Sequence, residues 1–129
     1  MKRILLAATA VALAAVTTPA AAQDAAAGQR VFNQCRACHT IEAGGRNGVG
    51  PNLHGVVGRK AASVDGFRYS PNMRELAEGG LTWTEENLDK YLTNPKSLVP
   101  RGSMAFAGLR NEQQRKDVIA YLKQNSPGS

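Results

Sequence analysis

Apolar positions along this chain form one solid block and then a sparse, helix-spaced pattern. The block runs from Ile4 to Val16 (ILLAATAVALAAV), behind Lys2 and Arg3 and ahead of the small residues of TTPAAAQ. A basic start, an apolar middle and an Ala-x-Ala-like end predict a secretory signal peptide over residues 1–22, cut after Ala22. A membrane-spanning helix needs roughly 20 apolar residues, and this run has 13. Retention as an uncleaved anchor is the alternative.

Residues 23–129 read as one small domain. Asp24 suits the N-cap of a helix from Ala25 to about Gln34, with Val31 and Phe32 as apolar anchors. SPNMRELAEGG predicts a short helix that stops at Gly79-Gly80. In TWTEENLDKYLTNP, Thr82 and Glu85 read as a capping box, Leu88, Tyr91 and Leu92 share a face, and Pro95 ends the helix. NEQQRKDVIAYLKQN opens on Asn111 as cap and places Arg115, Val118 and Leu122 on one face, with Ile119 beside them. The stretch from Glu42 to Lys60 has six glycines and a proline in 19 residues and reads as loop. KSLVPRGSMAFAGLR is a second irregular stretch, and nothing alternates with period two for long enough to be a strand. The expected fold is all-α: three main helices, one or two short ones, and long ordered loops. Loops that long in so small a domain need something to wrap around.

Composition sharpens that point. All 13 glycines lie beyond residue 22, and much of the apolar content is alanine. Such a chain makes a meagre core from its own side chains. Without Lys2 and Arg3, fourteen basic residues face ten acidic ones, a formal charge of +4. The basic residues are scattered with no long run, so no nucleic-acid partner is expected.

The chemistry sits in NQCRACHT, which holds both cysteines, Cys35 and Cys38, and His39 directly behind them. An exported protein could pair two cysteines as a disulfide. A redox disulfide of the thioredoxin type follows a strand and opens a helix; here a helix precedes the motif. A zinc site would need a fourth ligand, and Cys38 and His39 are adjacent, whereas structural zinc ligands come as separated pairs. Covalent haem attachment is what Cys-x-x-Cys-His signals directly. Each thiol adds to one vinyl group, and His39 then supplies an axial nitrogen. A second axial ligand would come from His54, Met73 or Met104. Methionine is a common core filler, and Met73 lies in a short helical stretch. His54 is only 15 residues past His39, a short reach around the ring. Met104 lies 65 residues on, in a loop between Pro100 and the last helix, and is the favoured candidate.

Beyond this motif, Gly28 with Phe32, GPNLHGVVGR, GFRYSPNM, LTWTEENLDKYLTNP, PRGSMAFAGL and DVIAYLK are present. With these the chain resembles the class I cytochromes c, in their bacterial cytochrome c2 and mitochondrial branch, over nearly all of Gly28 to Leu122. The resemblance implies a cytochrome c fold around one haem c, bound through Cys35 and Cys38. It implies His39 and Met104 as iron ligands, with the Pro51 carbonyl accepting the His39 Nδ1 proton. Thioether–imidazole ligation, of which cytochromes c are themselves the general example, raises the reduction potential. By the same resemblance Arg59, Tyr69 and Trp83 surround the propionates, Tyr91 lies near the Met104 sulfur, and Phe106 lies beside the exposed ring edge. Gly28 would let the first helix approach the last, with Phe32 and Tyr121 at the crossing. The plain alternative for Trp83, Tyr91 and Tyr121 is an ordinary core aromatic.

Two departures stand out. Gly102 and Ser103 replace the threonine and lysine that precede the ligand methionine in mitochondrial relatives, and the basic ring around the haem edge is thinner. Lys96, Arg101, Arg110 and Arg46 are its candidate members here. The implied function is single-electron transport in the periplasm, not catalysis. The implied protein is a monomer serving membrane-bound redox complexes: a cytochrome bc1-type donor, and an oxidase, a reaction centre or another acceptor. A small haem peroxidase or a dehydrogenase subunit is the enzymatic alternative and would need an open distal position. A cytochrome c′-like ligand sensor would carry its Cys-x-x-Cys-His near the C-terminus.

Overall fold

The computed structural model describes residues 4–14 and 23–129. Residues 4–14 carry neither helix nor strand, and Ile4, Leu5 and Leu6 are exposed. The cut expected after Ala22 lies outside the described residues. No described helix is long and apolar enough to cross a membrane.

Five helices follow: α1 (Ala25–Phe32), α2 (Pro71–Glu78), α3 (Glu85–Thr93), α4 (Pro95–Leu98) and α5 (Glu112–Gln124). Four of them start where a short polar side chain can satisfy orphan amides. Asp24 accepts from the Ala26 and Ala27 amides at 2.9 and 3.1 Å. Ser70 accepts from Met73 N and Asn111 from Gln114 N. The α3 cap is Thr84, which accepts from Asn87 N at 3.1 Å. Thr82, expected as that cap, instead forms an isolated antiparallel bridge with Lys60. The bridge draws two residues of the linker out of the helix, so the first threonine cannot cap it. Pro95 does not merely follow α3. It opens α4, a single turn inside the stretch expected to be irregular, because proline's fixed φ suits a first helical position.

The packing of α1 against α5 is the frame of the molecule. Gly28 is what permits it: a Cβ there would run into the backbone carbonyl of Asp117. Phe32, fully buried, meets the Tyr121 ring at 5.4 Å between centroids. Burying such a side chain is worth about 2–3 kcal/mol. Asp117 is buried too, and its carboxylate accepts from Asp24 N at 3.0 Å and Gln113 Nε2 at 2.8 Å. This pins the chain ahead of α1 to the middle of α5. Val118, Ile119 and Leu122 extend the same buried cluster towards Leu88 of α3. Long connections wrap the remaining side, held by pairs such as Gly58 N to Trp83 O at 2.7 Å and Trp83 N to Arg59 O at 2.8 Å.

Candidate functional site

The loops and helices enclose a cleft of about 250 Å³. All ten residues expected at a haem site line it: Cys35, Cys38, His39, Pro51, Arg59, Tyr69, Trp83, Tyr91, Met104 and Phe106.

The Cys-x-x-Cys-His segment continues α1 as a run of tight turns, with Cys35 N to Phe32 O at 2.8 Å and His39 N to Cys35 O at 2.9 Å. This continuation keeps both thiols and the imidazole on the same wall. Cys35 and Cys38 are free thiols, half-buried. Before any covalent attachment, burial, and secondarily the neighbouring Cys38, pushes the Cys35 thiol pKa up. Among the described residues no strand precedes the pair, and no group of three or more His, Cys, Asp or Glu side chains could hold a metal ion. Both observations weigh against the redox-disulfide and zinc readings.

His39 is held by a 2.7 Å hydrogen bond in which Nδ1–H donates to the Pro51 carbonyl. That bond leaves the Nε2 lone pair available. Burial pushes the imidazole pKa down, against the opposing effect of the Pro51 bond, so the neutral, metal-binding form is favoured. Gly50 shapes the same corner, because a Cβ on it would overlap the His39 ring. Sequence reasoning passed over Gly50; its place directly before Pro51, in a glycine-rich loop, was the available signal. His54 takes no part. It is absent from the cleft wall, and its Nδ1 lies 3.2 Å from the Ile41 carbonyl.

Met104 reaches the cleft from the loop between α4 and α5, and the Tyr91 hydroxyl donates to its sulfur at 3.8 Å. Burial raises the Tyr91 pKa to about 12, so the phenol remains a donor at neutral pH. Trp83 packs on Tyr91 with 4.9 Å between ring centroids. Met73 lines the cleft as well, but from α2, packed against the core cluster.

Arg59 donates to the His54 and Asn52 carbonyls at 2.8 and 3.2 Å, which tightens the loop it closes. Burial lowers its pKa, and the Tyr69 phenol beside it counters that. Burial raises the Tyr69 pKa, while the Val64 amide bond and Arg59 oppose the rise. A partly desolvated guanidinium beside a phenol on an apolar wall calls for an anion. Leu53, Val56, Leu88 and Leu92 supply that wall, Phe67 sets its edge on Tyr69 at 4.8 Å, and Val49 stands exposed at the mouth. Leu88 and Leu92 belong to the α3 face that the sequence marked. Leu53, Val56, Phe67 and Val49 were not singled out, because they lie in loops where no periodicity marks a buried face.

Two thiols, one oriented imidazole, a thioether, an apolar wall and a cationic corner fit an amphiphilic metalloporphyrin with two carboxylates. The basic residues expected near the rim are exposed: Arg46, Lys96, Arg101 and Arg110. Arg101, however, is paired with Glu75 at 3.0 Å.

Comparison with known proteins agrees with this geometry. The family model for cytochrome c matches residues 25–126. Cytochrome c2 of Blastochloris viridis is 48% identical over 118 residues, covering 91% of each chain. Cytochrome c2 of Rhodomicrobium vannielii is 48% identical over 122 residues, covering 95% of each. The solved structure of cytochrome c2 from Rhodospirillum centenum superimposes with a TM-score of 0.77 at 41% identity, covering 81% of this chain and 99% of that one. The chain thus belongs to the cytochrome c family: it is an electron carrier, not an enzyme, and its cofactor is covalently bound haem c, for which Cys35 and Cys38 have the required spacing.

Proposed function

We propose that this protein is a periplasmic, single-haem carrier, exported by residues 1–22, that holds iron between His39 Nε2 and Met104 Sδ. Its partners in this reading are membrane-bound: a cytochrome bc1-type donor and an oxidase, reaction centre or comparable acceptor. The observation that carries the ligation is the pairing of two oriented side chains on one cleft, His39 on the Pro51 carbonyl and Met104 under the Tyr91 hydroxyl.

When bound, haem c supplies one-electron iron chemistry. The chain's own residues do the rest. Cys35 and Cys38 tether the group. Pro51 fixes the His39 tautomer, so no proton need move at Nδ1 during electron transfer. Tyr91 draws electron density from the Met104 sulfur, which favours the reduced metal. Arg59 and Tyr69 answer the propionate charges. Leu53, Val56, Leu88 and Leu92 exclude water, which lowers the local dielectric and keeps the environment change between redox states small.

Phe106 and Val49 on the cleft wall, with exposed Arg110 four residues after Phe106 and exposed Lys96 on α4, form the proposed docking rim. Arg101 contributes less than its exposure suggests, because Glu75 shares its charge. The test is stopped-flow oxidation of the ferrous protein by membranes carrying a terminal oxidase or reaction centre. The rate should fall as salt rises, since steering is screened over about 8 Å at physiological ionic strength. Lys96→Glu should slow association more than it alters the potential. A rate indifferent to both salt and this reversal would mean apolar docking or another face.

A further inference from the structure

We propose that Asn72 is a positioning residue for Met104: its side-chain carbonyl, fixed on α2, holds the Arg101 amide and so sets how readily the methionine loop swings open. This rests on Met104 being the iron ligand, as proposed above.

Asn72 is one of only a few buried polar residues among those described, 8% exposed. Its position is rigid. It lies in the first turn of α2, between Pro71 and a Met73 amide already taken by the Ser70 cap. Its Oδ1 accepts from Arg101 N at 2.9 Å, across 29 residues of sequence. Arg101 follows the last turn of α4, three residues before Met104.

Downstream of Met104 the loop is pinned again. Leu109 N donates to Leu92 O at 2.7 Å. Gly108, at φ 112°, lies so close to Thr93 that a side chain there would overlap the Thr93 carbonyl. Between these two points Gly102 N donates to Val99 O at 3.0 Å, a bond within the segment itself, and among the described residues the Tyr91 bond to the Met104 sulfur ties the loop to another element. The Arg101–Glu75 pair runs parallel to the Asn72 bond, but its side chains are 74% and 59% exposed, and such pairs are weak. Asn72 is therefore the upstream clamp. Removing its oxygen strands a part-buried amide in the closed state only, because in the open loop that amide is hydrated.

The probe is imidazole, added to the ferric haem-loaded protein at fixed pH. It competes with the thioether for iron only when the loop opens. Asn72→Ala should tighten apparent imidazole binding roughly five- to tenfold, the worth of one hydrogen bond plus part of an orphaned donor. The limiting rate at saturating imidazole should rise with it. Asn72→Asp, which keeps the acceptor oxygen, should stay near the parent. Should Asn72→Ala mature poorly, Asn72→Ser removes the same reach and carries the same expectation.

Ile119→Ala, in the buried face of α5 and away from the cleft wall, controls for general loosening. It should lower the melting temperature and leave imidazole binding unchanged. Equal tightening by Ile119→Ala, or an Asn72→Ala that binds imidazole like the parent, would overturn the assignment. The ferric parent's long-wavelength sulfur-to-iron absorption band separates the two levels. A parent with the band and an indifferent Asn72→Ala refutes the clamp alone. A parent without the band removes the Met104 ligation and the clamp with it.

Discussion

The Tyr91 hydroxyl and the Met104 sulfur lie 3.8 Å apart, in hydrogen-bond geometry, although they come from different elements. Tyr91 stands on α3, and Met104 hangs from the loop that leads to α5. The contact ties a helical wall of the cleft to an irregular loop.

Tyr91→Phe should lower the reduction potential. The phenol proton withdraws density from the sulfur lone pairs and so disfavours the oxidised metal; without it the ferric state gains. A hydrogen bond of about 0.5–1.5 kcal/mol corresponds to roughly 20–60 mV for a one-electron couple. Spectroelectrochemical titration of both proteins measures it. An unchanged or raised potential would mean that the hydroxyl does not act on the sulfur.

The same phenol should leave a mark on stability at high pH. Its folded pKa is raised to about 12 by burial, against about 10 for a free tyrosine. The unfolded chain therefore loses this proton first. The stabilisation is complete below pH ~10 and is lost as pH climbs towards ~12. Its size is about 1–2 kcal/mol, allowing for partial exposure. Denaturant unfolding of the ferrous protein across that range should show a steeper decline than Tyr91→Phe does. Parallel curves would show that the phenol titrates normally.

Gly28→Ala should destabilise the frame by about 2–3 kcal/mol or more. The new methyl meets the backbone of Asp117 rather than a flexible side chain, so α1 and α5 must separate. The midpoint of urea unfolding should drop while the haem spectrum at low denaturant stays native. A variant as stable as the parent would contradict the close crossing.

The helices were legible because each carries its own instructions. Asn111 and its apolar face announced α5, and SPNMRELAEGG with its stop at Gly79-Gly80 announced α2. Where two local signals competed, sequence could not choose. Thr82 and Thr84 both suit an N-cap; the long-range bridge of Thr82 to Lys60, visible only in three dimensions, left the role to Thr84. The one-turn α4 was missed for a related reason, since four residues carry no periodicity. Among the site residues, Cys35, Cys38 and His39 are contiguous and speak for themselves. Arg59, Tyr69 and Trp83 were placed through family resemblance, not through any pattern of their own; Tyr91 fell on the α3 face by spacing, and only the resemblance gave it a role at the site. Gly50 and Asn72 escaped altogether. Their significance lies in a missing Cβ against His39 and in one bond to a residue 29 positions away.

The ligation of iron by His39 and Met104 is the centre of this account, and the spectrum of ferric Met104→Ala tests it most directly. Haem should remain attached through Cys35 and Cys38, the long-wavelength sulfur-to-iron band of the parent should vanish, and the potential should fall as the thioether is lost. A variant that keeps both the band and the potential would contradict the assignment and transfer the role to Met73, the other methionine on the cleft wall.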